Sequence, residues 1–216
     1  MLRDTLLAIH IAGGSVALLA LVPTVVASRG DGVRVGRTHR RAGLVYVGGM
    51  VAALASAYPL SVLLPSVFLG AVALFTTYLV ASGWRWIRRG AADRVPLGRG
   101  LAVGMLVAAV AMVAVGVGQL RDGDGLGVAL LVFAGIGGAL AGQDLLALRA
   151  ARPARRERVA LHLGRMLGGA IATLTAVLVV NVTTEPVWLG WVAPSAVITP
   201  MIAWRTAQVL RVGATP

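Results

Sequence analysis

Apolar residues in this chain run in blocks of membrane length, separated by short polar segments, and the block length rather than any local motif sets the expected architecture. A helix rises about 1.5 Å per residue, so about 20 residues cross the roughly 30 Å of hydrocarbon in a bilayer. On this rule seven helices are predicted, at approximately 4–27, 41–58, 66–84, 100–120, 126–148, 159–181 and 187–207. Pro23 falls near the far end of the first and Pro59 is expected to close the second, with PLSVLLP at 59–65 as an uncharged turn into the third. RDGDG at 121–125 and VTTEP at 182–186 are the corresponding turns into the fifth and seventh. Val25-Val26-Ala27 could mark a signal-peptide cleavage site, but the apolar region is long and only Arg3 precedes it beside Asp4, so the first segment reads as an uncleaved helix.

Composition turns this pattern into a class. Of 216 residues, 58% are hydrophobic and 13% charged, and mean hydropathy is +0.85. Soluble domains hold roughly 45–50% apolar and 25% charged residues, so no soluble fold could cover this much apolar surface. The expectation is an all-α integral membrane protein, a seven-transmembrane-helix bundle forming a single transmembrane domain over residues 1–216, with the lipid bilayer as its main partner. The longest loops are about fifteen residues, which leaves any chemistry to the bundle and its faces.

A formal charge of +12 would suggest nucleic acid in a soluble chain. Here the charges are all arginine, with no lysine, and they gather in every second connection: Arg29, Arg34, Arg37, Arg40 and Arg41, then Arg85, Arg88, Arg89, Arg94 and Arg99, then Arg149, Arg152, Arg155, Arg156 and Arg158. That is the positive-inside pattern, and it predicts an N-terminus outside, a cytoplasmic C-terminus and a bacterial cytoplasmic (inner) membrane, with no nucleic acid as partner. Only Arg3 and Arg121 then fall on the outer side. Trp84, Trp86 and Trp204 would lie at the inner interface, Trp188 and Trp191 at the outer one. The absence of cysteine excludes disulfides, thiolate haem ligation and iron–sulfur clusters. The absence of lysine excludes Schiff-base and P-loop chemistry.

Polar groups inside a bilayer are costly, so the few present are the candidates for function. Near the inner ends of outward-running helices lie His39, which shares a helical face with Gly43, Tyr46 and Met50, and His162, which shares one with Arg165, Gly169 and Thr173. Glycine four residues from a histidine lets a flat cofactor approach the backbone, and neutral imidazole is a good haem-iron ligand. One reading therefore has His39 and His162 as the two axial ligands of a single haem b, with Tyr46 and Arg165 beside it; the other has the histidines only bonding near the headgroups. His10 belongs to the outer leaflet, away from both. Gln143 and Asp144 lie at the inner end of the fifth helix at the depth of Arg165, and an Asp144–Arg165 pair would offset a cost of roughly 2.5–3.5 kcal/mol for each unpaired charge. Such a pair is either a structural clamp or a proton or substrate site. Gly164 and Gly168 form a GxxxG pattern that fits packing within the monomer or dimerisation.

HRRAGLVYVGGM at 39–50, HLGRMLGGAIATLTAVLVVN at 162–181 and APSAVITPMIAWR at 193–205 resemble a family of bacterial multi-pass membrane proteins of unknown function, in which a His-Arg pair opens one helix and a later helix begins with His. The resemblance implies a small seven-helix inner-membrane protein and no particular activity. A weaker likeness is to haem-b membrane cytochromes and ferric reductases, whose usual four histidines this chain, with three, does not supply, so at most one bis-histidine haem fits. Three functional expectations follow: a haem-b or quinone-binding redox protein with an inner-leaflet site of His39, Tyr46, Asp144, His162 and Arg165; a transporter or channel for a small solute or proton, with Asp144 and Arg165 as gate or binding groups; and a non-catalytic subunit packing on a membrane-protein partner.

Overall fold

A computed structural model describes residues 1–27, 36–88, 95–149 and 153–211. Among them the chain forms seven helices: α1 (Leu2–Val26), α2 (Arg37–Leu63), α3 (Val67–Ile87), α4 (Val95–Arg121), α5 (Leu126–Arg149), α6 (Arg155–Asn181) and α7 (Val187–Arg211). All seven are long and apolar enough to cross a membrane. The basic segments at 28–35, 89–94 and 150–152, which carry several of the clustered arginines, lie outside the described residues.

What these helices expose identifies their solvent. Val180, Val62 and Leu19 are 80%, 77% and 74% exposed. In water such stripes would drive aggregation, whereas against acyl chains they cost nothing. Much of what the helices bury is small: Ala17, Ala102, Ala129 and Ala141 are fully enclosed. Lipid supplies no hydrophobic force between helices, so close backbone approach through small residues has to do that work. Seven apolar helices of this length make a multi-pass membrane protein.

The helices run further than the hydrophobic blocks. α2 continues through Pro59 to Leu63, where the block pattern placed a turn. Proline forfeits one backbone bond, and a helix in a bilayer keeps its course because the remaining carbonyls have no water to turn to. At their starts α4 opens at Val95 and α6 at Arg155, where the hydrophobic blocks placed loop. Glu157 helps to fix the second of these starts, its carboxylate accepting the Ala154 N–H at 3.0 Å.

The described residues divide into two compact units, Met1–Ala73 with Arg211, and Leu74–Leu210, the division falling inside α3. In the first, α1 and α2 touch backbone to backbone: a Cβ on Gly13 would stand 2.8 Å from the Gly49 oxygen, and one on Gly49 would stand 2.7 Å from the Gly13 oxygen. Only glycine fits either position. Ser66 caps α3, its hydroxyl accepting the Leu69 N–H at 3.2 Å.

In the second unit, α4 and α5 form a hairpin through the Asp/Gly turn. Gly123 takes a positive φ of 81°, Asp124 N–H donates to the Gln119 carbonyl at 2.8 Å, and the Asp124 carboxylate caps α5 by accepting Leu126 N–H at 2.9 Å. Phe75 of α3 stacks on Phe133 of α5 with ring centroids 5.4 Å apart. α6 lies close on α3, where a Cβ on Gly83 would meet the Met166 sulfur at 2.9 Å and the Arg165 Cβ at 3.0 Å. That approach positions the polar site.

Candidate functional site

α3, α5 and α6 each carry polar side chains where their neighbours are apolar, and in the second unit these converge on Asp144. Its side chain is 1% exposed. The Arg165 Nη2 donates to Asp144 Oδ1 at 2.8 Å, the Trp86 indole N–H donates to the same oxygen at 2.9 Å, and the Tyr78 hydroxyl donates to Oδ2 at 2.7 Å. Tyr78 and Trp86 are about two turns apart on α3, so they approach the carboxylate from either side along that helix. A buried carboxylate is tolerated when charge-assisted bonds replace its water, and here three do.

Arg165 is equally enclosed, at 2%. Besides the carboxylate it donates through Nη2 to the Leu140 carbonyl at 2.8 Å and through Nη1 to the Gln143 side-chain oxygen at 3.3 Å. The pairing of Asp144 with Arg165, weighed from their similar depth, is present, and Gln143 joins it from the adjacent position on α5. One turn before Arg165 on α6, the His162 Nδ1–H donates to the Gly83 carbonyl of α3 at 2.8 Å. The bond places the neutral ring's proton on Nδ1.

Two of the centre's residues carry a different assignment in the sequence pattern. Arg85 stands there as the first residue of a basic loop and Trp86 as an interfacial indole; both instead belong to the last turn of α3 and are buried, at 3% and 1%. The Arg85 guanidinium lies over the Trp86 ring, 4.0 Å from its centroid. Among the described residues its Nε, Nη1 and Nη2 have no hydrogen-bond partner. Beyond it stands Gly98 in the first turn of α4, where a Cβ would be 2.7 Å from the Arg85 Cζ. The centre thus holds two guanidinium groups and one carboxylate.

The remaining candidates belong to the first unit. The His39 Nδ1–H donates to the Thr24 carbonyl at 3.0 Å, and the His10 Nδ1–H donates to the Ala53 carbonyl at 2.9 Å. Thr24 is in the last turn of α1, and His39 brings its carbonyl a donor from α2. Tyr46 is buried on the His39 face of α2, together with Met50. Among the described residues no three histidine, aspartate or glutamate side chains come together as a metal site. His39 in the first unit and His162 in the second each have the second-shell bond from Nδ1 to a backbone carbonyl that ligating imidazoles commonly show.

Of the GxxxG pair on α6, Gly168 packs against Leu79 of α3, a Cβ there standing 3.3 Å from a Leu79 methyl, while Gly164 faces open space. The pattern therefore serves packing within the unit through one of its two glycines. Compared with protein-family models, with curated proteins and with solved structures, the chain matches none of them. The family resemblance, a bacterial source and the haem likeness accordingly rest on the residues quoted for them alone.

Proposed function

We propose that this protein binds a small solute or proton within the bilayer and passes it across, and that the Arg85–Asp144–Arg165 centre is the site where it does so. The observation that carries this reading is the charge of that centre: it holds two buried guanidinium groups and one carboxylate, which pairs with Arg165 alone, at a place where unmatched charge is costly. A clamp between helices needs one cation and one anion, as Asp144 and Arg165 provide; Arg85 is additional. In this reading the N-terminus is outside and the arginine-bearing connections are cytoplasmic, in a bacterial inner membrane, so that the centre lies toward the inner leaflet.

The test is flux in liposomes containing the purified protein, followed with an enclosed pH-sensitive dye and with labelled chloride, phosphate, acetate and succinate. Flux of at least one of these above that of empty liposomes is expected. It should drop by at least about tenfold in Asp144→Asn provided that variant stays monodisperse in detergent. If correctly inserted protein moves none of them, the centre is a clamp and the transport reading is removed.

A second reading is redox, with a haem b for which His162 would supply one axial ligand, or a quinone beside His162 and Arg165. The bond from the His162 Nδ1 to the Gly83 carbonyl favours it, since it leaves Nε2 as the ligating nitrogen. A bound haem would supply one-electron chemistry, and the His162 imidazole would help to hold its iron. A purified protein with no Soret band, and none after haem is added, disposes of that version; lipid extracts examined by mass spectrometry decide the quinone.

A further inference from the structure

Arg85 poses a question that the Asp144–Arg165 pair does not answer. Five guanidinium N–H groups are enclosed in a membrane-spanning unit with none of them hydrogen-bonded to a described residue, and a buried donor left unmatched costs more than a bond made would contribute. Asp144 does not take them, because its bonds go to Tyr78, Trp86 and Arg165. The position adds to the cost: Arg85 abuts Gly98 in the first turn of α4, where unpaired backbone N–H groups and the helix dipole make the potential positive. A cation set at the positive end of a 27-residue helix, beside a second buried cation, is stable only if an anion shares the space.

We infer that Arg85 and the first turn of α4 bind an oxyanion, a carboxylate or phosphate group. The class follows from the geometry. A guanidinium offers parallel N–H pairs in one plane, which match the two oxygens of a carboxylate or phosphate and not a spherical halide. Stacking on Trp86 fixes that plane, and the Trp86 N–H bond to Asp144 fixes the ring in turn. Helix N-terminal amides add donors suited to the same group. Gly98 is where the two approach, and any side chain there would displace the guanidinium. A singly charged anion then brings the net charge at the centre to zero, with two cations facing Asp144 and the bound anion. This inference names a ligand for the centre proposed above for transport, but it concerns binding, so it survives if nothing crosses the membrane.

The experiment uses the full chain purified in detergent, with two arms for the two sources of such a group. In the first, inorganic phosphate, acetate and succinate are titrated by calorimetry and thermal shift, with chloride as the halide comparison. In the second, the protein is placed in phosphatidylcholine nanodiscs with and without phosphatidylglycerol, and lipid retention is read by native mass spectrometry. Saturable binding in the first arm identifies a soluble oxyanion; selective retention of the anionic lipid in the second identifies a headgroup.

In either arm Arg85→Gln should weaken binding by at least about tenfold and Gly98→Ala by a similar factor. Arg88→Gln should leave it unchanged, since Arg88 is exposed over Trp84 and outside the centre. Wild-type binding that is equally strong in Arg85→Gln and Gly98→Ala would overturn the inference. So would wild-type protein that takes up no oxyanion in either arm, whether or not the variants fold. A flux-negative protein that still binds phosphate or phosphatidylglycerol through Arg85 removes transport and leaves the site.

Discussion

The two units of this chain solve the same problem, holding helices together in a solvent that does not push them together, by different means. In the first, α1 and α2 meet through Gly13 and Gly49, and two imidazoles donate across to backbone carbonyls. In the second, α3, α5 and α6 are joined by a buried ionic centre in which one carboxylate takes donors from tyrosine, tryptophan and arginine. Close backbone contact is insensitive to charge and needs no partner to be complete. An ionic centre is directional, and it fails badly if one member is lost. A protein needing only cohesion could use the first device throughout, so the second is where function is to be sought.

The comparison breaks most severely at Arg165. Arg165→Met leaves Asp144 charged and enclosed, facing only two neutral donors, and should lower stability by about 3–5 kcal/mol, read as the midpoint of SDS or thermal unfolding in detergent. Arg165→Lys keeps the charge but loses the fork that reaches Leu140 and Gln143, so it should recover only part of that loss. If Arg165→Met were as stable as wild type, the carboxylate would have to be neutral, and the ionic description of the second unit would be wrong.

Next in size is Tyr78→Phe, which removes one donor from a carboxylate and leaves the ring in place, at a cost of about 1.5–3 kcal/mol by the same unfolding measurement. In the first unit the matching test is steric. Gly49→Val places carbon against the Gly13 backbone and should cost about 1–3 kcal/mol, whereas Gly48→Val, with nothing near its Cβ position, should stay within about 0.5 kcal/mol. A Gly48 effect as large as that of Gly49 would mean that the outward face of α2 is also packed, against a second protein.

How far this was legible in the sequence depends on the range of the force involved. Seven spans could be read because hydrocarbon thickness sets a length that each block must meet independently. Their ends could not, since α2 through Pro59 and α4 through its first turn are extended by backbone bonding that leaves no hydrophobic mark. The Asp144–Arg165 pair was accessible because two charges at one depth have few alternatives. Tyr78, Arg85 and Trp86 were not, because tryptophan and arginine at the end of a span ordinarily mark the interface. What places them inside is the approach of α6 at Gly83, a tertiary fact. The signal available was spacing: Tyr78, Ser82, Arg85 and Trp86 recur at three and four residues along α3.

The smallest effects separate the histidines of the first unit from each other. The Ala53 carbonyl that receives His10 also accepts the Ser56 hydroxyl at 2.9 Å, so His10→Leu leaves it with a donor and should cost about 0.6 kcal/mol or less. The Thr24 carbonyl, in the final turn of α1, takes a donor from His39. His39→Leu removes the one that α2 brings to it, and a loss of about 1–3 kcal/mol is expected. Measured side by side, a His39 effect no larger than that of His10 would show that the α1 terminus is served from elsewhere. The reason to keep a histidine at position 39, rather than any apolar residue, would then have to be sought in its other ring nitrogen.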